Sequence, residues 1–161
     1  MSTDKIEYMS MDNFNVLIQN RAEYELCKKM IINPKSFRLC YIHLPANERL
    51  HLKYAIINYL KNDSYMSSFS VKDLIEDLIS AIQSGEAFSC MKKYIEPDIL
   101  LIDDIQYLTN KPSTQEELYF LLKQRLESKK LTILFSECDI NLLSGTIKAE
   151  LEELVNIAVK N

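Results

Sequence analysis

The stretch Asp98-Ile99-Leu100-Leu101-Ile102-Asp103-Asp104 decides the fold of this 161-residue chain. Four apolar residues follow one another without interruption, and two carboxylates end the run. A strand that is apolar at every position is buried on both faces, which is typical of a central strand in a parallel sheet. We therefore place this stretch at the centre of an α/β domain.

Further strand patterns occur on both sides of that stretch, and helical patterns separate them. The predicted strands are 37–44, 65–69, 98–104, 131–135 and 154–159. The predicted helices are 21–32, 47–60, 71–84, 86–94, 114–126 and 140–153. This alternation predicts a mainly parallel sheet with helical crossovers. We expect a single domain over residues 1–161, with residues 1–13 as a polar N-terminal tail.

Glycine is scarce in this chain. It has only Gly85 and Gly145, whereas a soluble protein of this length carries about 11 glycines. A glycine-rich phosphate loop needs several glycines close together, because the backbone must approach the phosphate oxygens. The composition therefore excludes an orthodox phosphate loop.

The charge balance and the cysteines further limit the functions that this chain can have. Acidic residues outnumber basic ones by 23 to 19, so the net charge is −4 and any contact with nucleic acid must be local. The four cysteines do not have the paired spacing of a metal site. No apolar run approaches the ~20 residues of a membrane span. These features predict a cytoplasmic protein with reduced thiols and no membrane contact.

Several motifs are similar to those of a known family. An eleven-residue block, Asp98–Leu108, is followed at fixed spacing by Lys111 and by Thr114-Gln115-Glu116-Glu117. Weaker matches are Asp12-Asn13-Phe14, Asn20-Arg21, Ala55-Ile56 and Ile133-Leu134-Phe135-Ser136. In these motifs the chain resembles the ATPase core of the bacterial replication initiator DnaA family, within the AAA+ superfamily of P-loop NTPases. The resemblance implies a three-layer αβα sandwich with a five-stranded, mainly parallel sheet in the order 5-1-4-3-2.

The acidic pair after the central strand matches the Walker B motif of that family. By resemblance, Asp103 would orient Mg²⁺ and Asp104 would help to polarise the attacking water. Carboxylates at the C-terminal end of a central strand face the crevice where open α/β sheets bind ligands, and Mg²⁺ prefers oxygen ligands. The alternative is that the two acids only end a buried strand.

The family's phosphate loop, Gly-x-x-x-x-Gly-Lys-Thr, aligns with residues 43–50, His-Leu-Pro-Ala-Asn-Glu-Arg-Leu. His43 and Glu48 replace the glycines, Arg49 replaces the lysine, and Leu50 has no hydroxyl for the metal. Glu48 also brings a negative charge towards a polyphosphate. At ~4 Å and an effective dielectric constant near 20, one such like-charge pair costs about 4 kcal/mol. This degenerate Walker A position predicts weak or absent nucleotide binding.

The arginine finger of the family is also changed. In an alignment without gaps the finger falls on Glu150, whereas Lys148 lies two residues early. Charge reversal there would remove the activation of a neighbouring subunit's ATP hydrolysis. We also expect neither the family's helical lid nor its helix-turn-helix domain in the chain. These losses predict a pseudo-ATPase that is not an enzyme, although ATP and Mg²⁺ are the family's cofactors.

A nucleic-acid surface remains an alternative. The family's helical insertion, which lies along single-stranded DNA, corresponds to residues 71–94. The strand-contacting positions of the family fall on Ile79, Lys111, Ser113 and Thr114, and Lys92-Lys93 adds local positive charge. We favour the other interpretation, in which Ile79 is a core residue and the lysine pair lies on a solvated helix face.

Two hypotheses for function follow. The first is a catalytically degenerate DnaA-like protein that acts by protein contacts in the initiation or regulation of DNA replication. Its partner would be a replication protein such as DnaA or a helicase loader. The second is a module of the same family that retains residual binding of a nucleotide or of single-stranded DNA.

Overall fold

The computed structural model of the chain describes residues 3–143, 148–149 and 151–155, apart from the side chains of residues 3, 4, 87 and 88. The helices are α1 (Thr3–Glu7), α2 (Arg21–Ile32), α3 (Ala46–Leu60), α4 (Val71–Ser84), α5 (Ala87–Ile95) and α6 (Pro112–Glu127). The strands are β1 (Leu39–His43), β2 (Met66–Ser70), β3 (Ile99–Asp103) and β4 (Leu131–Ser136). No helix within these ranges is long and apolar enough to cross a bilayer.

The four described strands form one parallel sheet in the order β1-β4-β3-β2. β3, the strand that the apolar run predicted, lies between β4 and β2 and is buried at all five positions. This arrangement confirms the predicted α/β class and the 1-4-3-2 part of the expected strand order.

The fifth strand, predicted at 154–159, is not formed where it was expected to begin. Leu154 and Val155 belong to a helical segment, and residues 156–161 lie outside the described residues. Leu151 and Leu154 are both buried, and their spacing of three matches one face of a helix rather than the alternation of a strand.

Helices cover both faces of the sheet. α2 and α3 lie on one face, and α4, α5 and α6 lie on the other. Alternate residues of each strand point to opposite faces, so the apolar runs supply both layers of core. On β3, Ile99 and Leu101 pack towards α2 and α3, whereas Leu100 and Ile102 pack towards α4 and α6. The molecule is therefore the expected three-layer αβα sandwich.

The predicted polar tail at residues 1–13 is wrong over its described part, which packs against α3. Met9 and Met11 are buried. The Nδ2 of Asn58 on α3 donates to the carbonyl oxygens of Ile6 and Met9, at 2.9 and 3.0 Å. The segment docks because its two methionines add to the core, a signal that the surrounding polar residues hide.

Helix α4 has the ends that its sequence predicts. The Ser70 hydroxyl accepts from the Asp73 amide, and the Asp73 carboxylate accepts in return from the Ser70 amide at 2.8 Å. Gly85 ends the helix in the left-handed region, with φ of 73°. Both are standard capping devices, and they fix α4 directly at the end of β2.

A buried arginine joins three elements at the amino edge of the sheet. Arg125 of α6 is fully buried, and its acceptors are at 2.6–3.1 Å: Thr132 Oγ1 and the carbonyl oxygens of Tyr94, Ile95, Pro97 and Leu131. Burial lowers the pKa of Arg125 to about 10, so the guanidinium stays charged at neutral pH. Together with Lys130, whose Nζ donates to the carbonyl oxygen of Ile95 at 2.9 Å, it thereby supplies donors and positive charge to the C-terminal end of α5.

We predict that Arg125→Met lowers the free energy of unfolding by about 3 kcal/mol or more, because several buried carbonyl groups lose their donors at once. Lys123→Met is the matched control, since Lys123 is exposed on the same helix and its loss is expected to cost less than about 1 kcal/mol. Urea unfolding monitored by circular dichroism measures both values. Equal stabilities of the two variants would contradict the assigned role.

Candidate functional site

The acidic pair lies at the carboxyl edge of the sheet, as predicted. Asp103 is the last residue of β3 and is only 8% exposed. Asp104 follows it with a φ of 63°, a left-handed conformation that aspartate tolerates better than most residues. Its backbone N–H donates to Asp103 Oδ1 at 2.8 Å, and its carbonyl accepts from the Tyr107 N–H at 3.0 Å. This turn presents both carboxylates at one end of the central strand.

The connection from β1 to α3 is too short for a phosphate loop. Only Leu44 and Pro45 separate His43, the last residue of the strand, from Ala46, the first residue of the helix. A phosphate loop encloses an anion with a series of backbone N–H groups, and Pro45 has none. Residues 46–50 instead form the first turns of α3.

Arg49 fills the space between this helix and the acidic pair. It is 5% exposed, its Nε is 2.8 Å from Asp103 Oδ1, and its Nη2 is 2.9 Å from Asp104 Oδ1. The same Nη2 is 3.5 Å from Glu137 Oε1, beyond the end of β4. One guanidinium thus contacts carboxylates that follow two neighbouring strands.

Lys53 completes the neutralisation of Asp103. It lies one helical turn after Arg49 on α3, and its Nζ is 2.9 Å from Asp103 Oδ2. Each oxygen of the Asp103 carboxylate therefore already accepts from a cationic side chain of α3. The Lys53 side chain is itself largely buried, so solvent screens this pair less than a surface ion pair.

Glu48 is tied to a different neighbour. Its Oε2 accepts from Asn20 Nδ2 at 2.9 Å, and Asn20 is fully buried. Asn20 Oδ1 accepts from the Leu17 N–H at 2.7 Å, so the side chain links the segment before α2 to the first turn of α3. A carboxylate in the first turn of a helix also interacts favourably with the helix dipole. Asn20 makes no side-chain capping hydrogen bond to α2, although it immediately precedes that helix.

Gln106 connects the acidic turn to β4. Its Nε2 donates to Asp104 Oδ1 at 3.2 Å, while its Oε1 accepts from Ser136 Oγ and from the Glu137 N–H, both at 3.2 Å. Ser136 is the last residue of β4 and is fully buried. The ends of β3 and β4 are therefore joined by one amide side chain.

These residues do not fit a Mg²⁺–nucleotide complex as they are arranged. Mg²⁺ needs carboxylate oxygens that can coordinate it directly or through water, and both oxygens of Asp103 are held by Arg49 and Lys53. Leu50, half-buried on α3, offers no oxygen at the position of the family's hydroxyl. No group of three or more metal-ligating side chains occurs within the described ranges.

Sequence reasoning placed Asp103, Asp104 and Arg49 together but missed three of their neighbours. Lys53 had a signal, because a residue four positions after Arg49 lies on the same face of a helix. No signal indicated the contact of Gln106 with Ser136 or the contact of Asn20 with Glu48, since these partners are distant in sequence. His43, at the end of β1, lies beside this group of residues, and its Nδ1 is 4.0 Å from Asp139 Oδ2.

The candidate nucleic-acid residues lie nearby, around α4. Ile79 is 53% exposed, so the interpretation of Ile79 as a core residue is wrong. Lys92 and Lys93 are exposed, as expected, and Lys93 forms an ion pair with Asp77. Burial alone would raise the pKa of Asp77, but hydrogen bonds from Lys93 and Tyr94 lower it below its ordinary value. The ion pair between Lys93 and Asp77 thus connects α5 to α4.

A groove of about 430 Å³ separates α4 from the turn after β3. Its lining includes Ile75 of α4 together with Tyr107 and Lys111, and Asp104 lies at its inner end. Lys111 is exposed. The neighbouring Ser113 is exposed and Thr114 is half-buried, both in the first turn of α6. The arginine-finger position, Glu150, lies outside the described residues.

Known proteins are similar to this chain in sequence. The family model of the bacterial DnaA ATPase domain matches residues 5–153. The chromosomal replication initiator protein DnaA of Deinococcus radiodurans is 32% identical over 110 residues, which are 65% of this chain and 24% of that protein. The chain thus spans about a quarter of the length of this curated relative.

Solved structures have the same fold. AMPPCP-bound DnaA from Aquifex aeolicus matches with a TM-score of 0.83 at 24% identity, over 93% of this chain and 48% of that one. The DnaC helicase loader matches with a TM-score of 0.70 at 18% identity, over 97% of this chain and 93% of that one. Since the family model covers nearly all of its residues, the chain belongs to the bacterial DnaA ATPase-domain family.

Proposed function

We propose that this chain is a catalytically degenerate member of the DnaA family that acts through protein contacts in the initiation or regulation of DNA replication. In this proposal it neither binds ATP tightly nor hydrolyses it. The observation that carries the proposal is the pair of contacts from Arg49 to Asp103 and Asp104, at 2.8 and 2.9 Å. The family's metal and nucleotide would require the same carboxylates.

A comparison of magnitudes favours this interpretation. Separating one partner of a buried ion pair costs about 3–5 kcal/mol, and the binding of a millimolar ligand supplies about 4 kcal/mol. The displacement of Arg49 and Lys53 from Asp103 would therefore oppose nucleotide binding by an amount similar to the whole affinity of a millimolar ligand. In a phosphate loop, backbone N–H donors offset such costs by binding the phosphate oxygens. Here the connection between β1 and α3 is short and contains Pro45, so it has fewer of these donors.

The partner in this proposal is another replication protein, such as an initiator or a helicase loader. A structure of similar length and the same fold is described as a helicase loader, and the curated relative is a replication initiator. AAA+ domains associate side by side, and a subunit without the finger would leave its neighbour's nucleotide site incomplete. Glu150, at the finger position, would then make this chain an inhibitor of assembly or hydrolysis.

We predict that addition of the purified chain lowers the ATPase activity and the oligomer size of the initiator from the same host. Glu150→Arg restores a finger side chain and is expected to relieve the inhibition of hydrolysis. Sedimentation velocity and phosphate release measure the two effects.

Glu153→Arg is the control for this assay, because it makes the same charge change three residues away at an exposed position. It is expected to behave like the unmodified chain. If the unmodified chain leaves both the oligomer size and the ATPase activity unchanged, the proposed protein contact does not exist.

A second candidate function is binding of single-stranded DNA, and the exposure of Ile79 favours it. An apolar side chain on α4, 53% exposed, lies on the helix that also borders the groove of Lys111 and Tyr107. Single strands bind to surfaces that combine positive charge with aromatic side chains on which bases stack. Tyr107 is 60% exposed and provides such a ring.

A salt titration tests this second function. If the groove binds DNA, the anisotropy of a labelled 16-nucleotide strand gives a negative slope of log affinity against log salt, and Lys111→Ala makes that slope smaller by about one. Lys61→Ala is the control, since Lys61 follows α3 at the opposite edge of the sheet. Equal slopes for both variants would rule out a phosphate contact at Lys111.

A further inference from the structure

A second cleft lies at the amino edge of the sheet, opposite the degenerate nucleotide site. It has a volume of about 570 Å³, within the range of about 300–1,000 Å³ that is usual for ligand sites. Loops that enter all four strands line it, so its walls are positioned by the sheet itself. Of the family motifs described above, only the first residues of the block Asp98–Leu108 reach this cleft.

The strand order separates the charges of this cleft by sign. Lys35 and Arg38 precede β1, and Lys129 precedes β4, whereas Asp98 precedes β3 and Asp63 precedes β2. Because the sheet order is β1-β4-β3-β2, the cations lie over one half of the edge and the carboxylates over the other. Neighbouring strands are about 4.8 Å apart, so the centres of the two halves are about 10 Å apart.

These five charged side chains do not form ion pairs with one another. The ion pairs of the described residues involve none of these five side chains. Two of the lining cations also donate to backbone carbonyl oxygens: Lys130 Nζ donates to those of Ile95 and Glu96 at 2.9 and 2.6 Å, and Arg38 Nη1 donates to those of Lys35 and Phe37 at 2.5 and 2.9 Å. The cleft therefore presents a positive half and a negative half to a ligand.

The backbone at Lys129 adds an independent observation. The N–H groups of Lys129 and Lys130 donate to the carbonyl oxygens of Leu126 and Arg125 at 3.0 and 2.9 Å, which closes α6 in a Schellman motif. Lys129 has a φ of 57° at the position of that motif where glycine is strain-free. The chain thus has a strained lysine there, and the side chain brings a positive charge to the cleft.

We infer that this cleft binds a dipolar segment of a partner protein, with acidic side chains over β1 and β4 and basic side chains over β3 and β2. Nucleic acid fits less well, because a ligand of one sign is repelled by Asp63 and Asp98. A free amino acid is too short to span about 10 Å, whereas the backbone of an extended peptide covers that distance in about three residues. The inference rests on the proposed function in taking a protein as the partner.

The test is a titration of the ¹⁵N-labelled full chain with the blocked peptide Glu-Glu-Ala-Ala-Lys-Lys, followed by nuclear magnetic resonance. We expect saturable shifts of backbone amides in both halves, at residues 35–38 and 128–130 and at residues 63–64 and 98. Lys129→Gly is expected to weaken binding about fivefold while raising the melting temperature by about 2 °C. Lys123→Ala, on the exposed face of α6, is the control and is expected to bind like the unmodified chain.

Three results would overturn the inference. The first is the absence of shifts at millimolar peptide. The second is binding of inorganic phosphate, of a single-stranded oligonucleotide or of the peptide Glu-Glu-Ala-Ala-Glu-Glu that is as tight as, or tighter than, binding of the test peptide. The third is an unchanged peptide affinity in Lys129→Gly. This titration does not involve the initiator. A failed titration therefore leaves the assembly assay intact, and a failed assembly assay leaves the titration intact.

Discussion

The carboxyl edge of this molecule depends on the contact of one guanidinium with two carboxylates. Arg49 lies between α3 and the end of β3, and it is bonded to Asp103 and Asp104 while almost fully buried. Removing it would leave Asp103, itself 8% exposed, with only Lys53 as a cationic partner. Buried charges without partners are expensive, so the arginine and the acids are needed together. Both oxygens of Asp103 thereby have cationic partners from α3.

That contact also orders the elements around it. The short β1–α3 connection brings Arg49 to the sheet, and Gln106 then joins the turn after β3 to the end of β4. Asn20 holds Glu48 at the start of α3, away from the carboxylates. A different network, centred on Arg125, serves the amino edge. The two edges are thus stabilised by two unrelated arginines.

The sequence was sufficient for the fold because its signals were local and periodic. The apolar run of β3 and the alternation of strand and helix patterns predict the α/β class, whereas the strand order was implied by the resemblance to the family. The prediction of a fifth strand was wrong at Leu154, because the short apolar segment there is equally compatible with one face of a helix. The prediction of a polar tail was wrong because only two residues of that segment, Met9 and Met11, indicate burial.

The site was predictable in its members but not in its contacts. Alignment placed Arg49 opposite Asp103, and the spacing of four places Lys53 on the same face of α3, but this spacing does not indicate which carboxylate oxygen Lys53 contacts, and no sequence pattern indicates that Ile79 is exposed. Such facts depend on distances between elements far apart in the chain. The charge separation at the amino edge has the same origin, because it follows from the strand order rather than from the sequence order.

The most direct test of the central claim, that Arg49 and Lys53 have replaced the nucleotide and its metal, is an equilibrium titration of the chain with ATP and Mg²⁺ by isothermal calorimetry. We expect no saturable binding at micromolar concentrations and no dependence on Mg²⁺, with an AMPPCP-binding DnaA as the positive control. Micromolar, Mg²⁺-dependent binding by this chain would contradict the account, because it would require Asp103 to release both of its cationic partners.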